Sequence, residues 1–193
     1  VLDEINTSNV QNLKIAWTHK FSDAPPGSRG GNSESNPIII DGVMYTLSAR
    51  HRAYALDAST GVQIWAFDPF NGEAGGGIGR GLTYWEDGID KRILFTAGDK
   101  LYALNAQTGL PIPSFGNNGW VSMNVGMRGD PAKISVIPTS PGIVFQNLLI
   151  IGNEVSELYG AEPGHVRAYD IKSGKLEWTF HTVPQPGEIG YDT

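Results

Sequence analysis

The sequence predicts an all-β chain of repeated four-stranded antiparallel meanders, and three observations predict it. A fifteen-residue pattern recurs: AYALDASTGVQIWAF at 53–67, LYALNAQTGLPIPSF at 101–115 and VRAYDIKSGKLEWTF at 166–180. Each copy reads as a short strand, a turn at Ser/Thr-Gly and a second short strand that usually carries a Trp. The spacing is regular as well: 48 residues separate Gly61 from Gly109, 65 separate Gly109 from Gly174, and 48 again separate Trp17 from Trp65. Self-similarity near 40–50 residues marks an array or a propeller. Finally, residues 37–68 hold four β-rich runs with no room for a helix, which is the make-up of one β-propeller blade.

Taken in order, residues 10–21 open the chain as the tail of an earlier copy. Ile15, Trp17, His19 and Phe21 alternate with Ala16, Thr18 and Lys20, the period-two signature of a strand. Residues 22–36 are a loop by composition. The first blade, 37–68, begins with two β-rich runs around Asp41-Gly42, a strong hairpin signal. Arg50-His51-Arg52 precedes its third strand and reads as a solvated basic hairpin. A Gly-rich connection, 69–81, leads into a second blade at 82–115. Here Pro113 takes the place of the Trp, and proline tolerates only an edge or a strand end, so this outer strand is altered or ends early. The third unit, a blade at 142–180, follows a long insertion around 116–134; loops of that length are usually functional or disordered. Residues 181–193 read as the connection to a further blade.

The count is one partial propeller domain over 1–193: three blades plus one orphan strand, the kind of strand that ring closure by an incoming terminal strand would leave. Three blades do not close a wheel, which takes four to eight. The expected partners are therefore the remaining blades of the propeller or another copy of the chain. Trp17, Trp65 and Trp178 are assigned to packing, whereas Trp85 and Trp120 lie outside the repeat and suit either core or ring stacking.

Composition limits the function classes. The formal net charge is −6, which argues against a general nucleic-acid binder, since that needs a basic surface to release counterions. No run approaches the roughly 18 apolar residues of a membrane span, and no signal peptide is visible. There is no cysteine, so disulfides and thiolate metal sites are excluded. His165 and His181 have no metal-ligand spacing and read as structural. Arg80 is the foremost binding candidate: it follows Gly75–Gly79, which lets backbone approach a ligand closely, and its guanidinium fork suits a carboxylate. The alternative is a surface Arg paired with Glu86 or Asp87. Arg128 and Lys133, in the insertion, read chiefly as surface charge.

The repeat, with its aliphatic-or-Tyr, Ala, Leu/Tyr, Asp/Asn, x-x, Ser/Thr-Gly run and a Trp four residues on, resembles the tryptophan-docking motif of pyrroloquinoline quinone (PQQ) dependent dehydrogenases. Arg80-Gly81-Leu82-Thr83-Tyr84-Trp85, Phe115-Gly116-Asn117-Asn118-Gly119 and Thr139-Ser140-Pro141 look like the same family, and the likeness covers essentially the whole chain. It implies the N-terminal portion of an eight-bladed, periplasmic or secreted quinoprotein that oxidises an alcohol or a sugar, a glucose-like one included, with PQQ and Ca²⁺. By resemblance Arg80 contacts the cofactor, Thr139 and Ser140 place hydroxyls near it, and Glu157 supplies a calcium carboxylate, with Asn153, Glu154 and Glu162 as neighbours. Two departures stand out: Ala74-Gly75 replace the vicinal cysteines of alcohol-oxidising relatives, and Gly76 replaces the His of sugar-oxidising ones. The family's catalytic Asp and second calcium ligand belong to later blades, so no catalytic residue is assigned here and the segment alone is expected to be inactive. The competing expectation is a non-catalytic propeller scaffold for protein–protein interaction, as in outer-membrane assembly factors; the RGLTYW segment and the insertions argue against it.

Overall fold

The computed structural model describes residues 4–23, 33–127, 130–155 and 162–192. Twelve strands form three four-stranded antiparallel sheets, each a simple meander in sequence order. The first blade is β1 (Ile38–Ile40), β2 (Val43–Leu47), β3 (Ala53–Asp57) and β4 (Gln63–Phe67); the second is β5 (Thr83–Asp87), β6 (Asp90–Ala97), β7 (Lys100–Asn105) and β8 (Trp120–Ser122); the third is β9 (Ile143–Phe145), β10 (Leu148–Ile151), β11 (Val166–Asp170) and β12 (Leu176–Phe180). The described residues contain no α-helix, only a 3₁₀ turn at Val10–Asn12. The chain is a partial β-propeller.

The recurring Asp/Asn-x-x-Ser/Thr-Gly is one turn made three times. The Oδ1 atoms of Asp57, Asn105 and Asp170 accept backbone N–H bonds from Thr60, Thr108 and Ser173 at 2.8, 2.9 and 2.7 Å. Gly61, Gly109 and Gly174 follow with φ of +72°, +70° and +76°, left-handed values that cost a residue with a Cβ about 1–2 kcal/mol. The bare Cα also admits a neighbour. The Trp17 ring lies against Gly61, and the Trp65 ring lies 2.6 Å from where a Cβ on Gly109 would stand. Each indole also donates from Nε1 to a turn carbonyl, Trp17 to Ala58 at 3.1 Å and Trp65 to Ala106 at 2.9 Å. The Trp of one unit is thus fastened to the turn of the next. Two apolar clusters fill the gaps between blades, one around Tyr45, Trp65, Phe95 and Tyr102, the other around Trp85, Phe115, Met123 and Tyr169.

Four expectations need correction. Residues 10–21 form no strand: after the 3₁₀ turn the run joins no sheet among the described residues, although Trp17 still docks. The second blade does not end at 115. Pro111 makes one isolated bridge to Leu104, Pro113 lacks an N–H, and the fourth place on the sheet is taken by Trp120–Ser122 paired to β7. The insertion therefore completes the blade, and beyond it buried Asn124 ties the loop together through Asp99, Pro131, Ile134 and Val136. Trp178 is less packed than expected: it is 41% exposed where Trp65 is 8%, and among the described residues no repeat turn lies against it. The Arg50-His51-Arg52 stretch is not solvated throughout. His51 is buried and Arg52 pairs with Asp68 at 2.7 Å.

Candidate functional site

The entry to each blade converges on one place. Asn36, just before β1, bridges Gly81, just before β5. The Arg80 N–H donates to the Thr139 carbonyl at 2.8 Å, and the Arg80 carbonyl accepts the Asn36 N–H at 3.1 Å. The Thr83 hydroxyl donates to the Gly142 carbonyl at 2.7 Å. Residues 36, 80–83 and 139–142 are thereby stitched together from three blades, and Arg80 is held on both backbone sides.

A cleft of about 570 Å³ opens beside this seam, lined by Ile78, Arg80, Thr139, Ser140, Asn153 and Glu154 among others. The Arg80 guanidinium donates from Nη1 to Thr139 Oγ1 at 2.7 Å, and its Nε lies 3.5 Å from Glu34 Oε2. These two contacts aim the fork and leave the rest of it at the cleft, where the side chain is 44% exposed. Ser140 is exposed on the same wall. Ile78, Ile143 and Ile150 supply apolar surface. Asn153 Oδ1 is shielded from solvent yet accepts no hydrogen bond; a buried acceptor left in that state is costly unless something fills it.

The structure brings Arg80, Thr139 and Ser140 together. Glu86 and Asp87 are not partners of Arg80: they pair with Lys91 and Lys172. Glu157 and Arg128 lie outside the described residues. Lys133 is exposed and pairs with Asp130. Glu162 lines a different cavity, of about 820 Å³, with His165 and His181, whose rings meet edge to face at 4.6 Å; that cavity shares no lining residue with the cleft. Trp85 is buried and donates to the Gln146 carbonyl, and Trp120 lies under the Lys100 ammonium at 4.4 Å, so neither indole faces the cleft. No group of three His, Asp or Glu suited to a metal occurs among the described residues. Glu34 escaped sequence reasoning, because 46 residues separate it from Arg80 and no local pattern links them.

Of the departures at 74–76, the packing of the loop bears on Gly75. A side chain on Gly75 would strike the Phe70 ring and the Arg50 carbonyl. A larger residue there therefore requires Phe70 to move.

Comparison with known proteins places the chain in a family. The family model for the β-propeller domain of PQQ-dependent glucose, ethanol and alcohol dehydrogenases matches residues 1–192. The chain belongs to that family. It is 34% identical to quinohemoprotein alcohol dehydrogenase ADH IIB of Pseudomonas putida, over 99% of this chain and 25% of that protein. It is 31% identical to quinoprotein glucose dehydrogenase A of Acinetobacter calcoaceticus, over 94% and 26%. The crystal structure of quinohemoprotein alcohol dehydrogenase from Comamonas testosteroni superposes with a TM-score of 0.75 at 28% identity, covering 97% of this chain and 26% of that one. The chain spans about a quarter of the length of these relatives.

Proposed function

We propose that this chain is part of a PQQ-dependent dehydrogenase, periplasmic or secreted, that oxidises an alcohol or a sugar, and that it supplies one wall of the cofactor cradle. The observation that carries this is the Arg80 fork, aimed into the cleft by Thr139 and Glu34. PQQ is a flat ortho-quinone bearing three carboxylates, and the wall matches it in kind. Arg80 offers a carboxylate a charge-assisted hydrogen bond, Thr139 fixes the guanidinium, Ser140 offers a hydroxyl, and the isoleucines exclude water from one side of the ring. When bound, the quinone accepts the hydride from the substrate carbon. For Ca²⁺, which takes oxygen ligands, the described wall presents Asn153 Oδ1 as an unfilled acceptor near Glu154, and Glu157 is proposed to add a carboxylate.

The segment 1–193 by itself is proposed to bind PQQ weakly and to turn nothing over. Dye reduction by this segment with PQQ and Ca²⁺, lost on Arg80→Ala, would contradict that. The broader test is calorimetric titration of PQQ into the intact protein. Arg80→Ala should weaken binding about tenfold or more, the equivalent of a charged hydrogen bond of roughly 1.5–3 kcal/mol, with an unchanged melting temperature. Equal affinity in the two proteins would remove Arg80 from the cradle, and no binding by either would favour the scaffold reading.

A further inference from the structure

We infer that His51 is a positioning residue for Arg80: its imidazole is the floor on which the Gly-rich loop rests. This deepens the reading of the cleft as a PQQ cradle and rests on it. His51 lies in the turn between β2 and β3, at φ +59°, a left-handed value uncommon outside glycine and adopted more readily by Asn, Asp and His than by other residues. The turn is braced by the His51 N–H donating to the Ser48 carbonyl at 3.0 Å and by Ser48 Oγ, which accepts from the N–H groups of Arg50 and Arg52 and donates to Asp23. So braced, the side chain is driven inward and is 3% exposed.

Above the ring run Gly77 and Gly79. A Cβ on Gly77 would stand 3.7 Å from His51 Cε1, and one on Gly79 only 2.9 Å from Nε2. The loop backbone at Gly79 thus lies directly on the imidazole, and a side chain there would strike the ring. One residue further on, the Arg80 backbone is clamped between Asn36 and Thr139. The height of the loop over His51 therefore sets where the Arg80 side chain leaves the seam.

The ring is polar for a spacer. Neither nitrogen completes a hydrogen bond, although two buried, unmet polar atoms are costly. Burial pushes the imidazole pKa down, and the Gly77 backbone beside it works in the opposite sense. The Gly77 backbone is the polar partner beside the ring, so the imidazole meets the loop with a polar edge as well as with its face.

The experiment uses the intact protein with four variants and two readouts: PQQ affinity by calorimetry, and amide hydrogen exchange at Gly76–Arg80 without PQQ. His51→Leu should weaken PQQ about tenfold and speed exchange in the loop while leaving exchange in β2 and β3 unchanged. His51→Gln, which keeps a donor and an acceptor, should stay within about threefold of the parent in both readouts. Gly79→Ala should lift the loop and weaken PQQ similarly, and adding His51→Ala should restore most of the loss by making room for the methyl. Parent-like affinity and exchange in His51→Leu, or no recovery in the Gly79→Ala/His51→Ala pair, would overturn the inference. If Arg80→Ala weakens PQQ and the His51 variants do not, only the positioning role fails. If PQQ does not bind at all, the cofactor reading fails, and loop exchange still decides whether His51 holds the loop.

Discussion

Arg92 donates from Nη1 to the Ile171 carbonyl at 2.9 Å, the same turn position at which Trp65 bonds the Ala106 carbonyl one junction earlier. The second junction has no docking Trp, since Pro113 stands in its place. Val121 and Phe115 fill the space against Gly174 instead, and a guanidinium takes over the polar part. Arg92 is buried, bonds the Lys172 carbonyl as well, and is held by both oxygens of Asp90 at 2.8 and 2.7 Å. One junction is fastened by an indole and the next by an ion pair with two carbonyls.

Arg92→Ala should therefore destabilise the protein by about 2–3 kcal/mol. The loss is smaller than the roughly 3–5 kcal/mol of a wholly buried pair, because Asp90 is one-third exposed and water can solvate it. Arg92→Lys should recover little, since an ammonium cannot serve two carbonyls and a carboxylate with the same planar fork. Denaturant melts of the three proteins check this, and a parent-like Lys variant would show that charge alone suffices.

At the first junction the fastening is steric as well as polar. Trp65→Ala should cost about 3–5 kcal/mol. Gly109→Ala should cost more than Gly88→Ala, although both glycines have left-handed φ, +70° and +61°. A methyl at 88 meets nothing within 4 Å, whereas one at 109 meets the Trp65 ring. Gly88→Ala then reports the conformational cost alone, about 1–2 kcal/mol, and the excess at 109 is the price of displacing the indole. Equal losses at both sites would mean that Trp65 yields freely.

At the cleft, Thr139→Val removes the Oγ1 that accepts from Arg80 and leaves Glu34, among the described residues, to aim the fork. PQQ affinity of the intact protein should fall roughly two- to tenfold, the range of one hydrogen bond of about 0.5–1.5 kcal/mol, and less than for Arg80→Ala. Thr139→Ser should restore it. A Val variant as weak as Arg80→Ala would mean that Thr139 acts on more than the orientation of Arg80.

What could be read in the sequence was local. Asp41-Gly42 marks a tight hairpin, and both residues do have positive φ, 50° and 80°. The Asp/Asn-x-x-Ser/Thr-Gly turn needs only residues within five positions, so its three copies count the blades correctly. What could not be read depends on distant partners. Trp120–Ser122 joins β7 only because Pro113 denies that edge to the expected run. Trp178 carries the same motif as Trp65 and is exposed because docking requires a second turn to receive it. Arg80, Thr139 and Ser140 were singled out by their neighbours in the chain, while Glu34 and His51 became visible only when the loops between blades closed on one another.

The Asp57 turn makes an acid-stability prediction whose sign can be worked out. Hydrogen bonds from Ser59, then Thr60, hold the Asp57 carboxyl below its ordinary value of 3.8. A carboxylate with a folded pKa below its unfolded one stabilises the fold above the unfolded pKa. That contribution is lost as pH falls from near 4 through the folded value. Asn105 shows that an amide makes the same turn, accepting from Gln107 and Thr108 at 3.0 and 2.9 Å. Asp57→Asn should therefore fold with the same geometry and be slightly less stable at pH 7, since a neutral acceptor bonds hydroxyl and N–H donors more weakly. The difference in melting temperature between parent and variant should shrink steadily below pH 4. A difference that stays constant down to pH 2.5 would mean that the charge on Asp57 contributes nothing and that the turn is held by geometry alone.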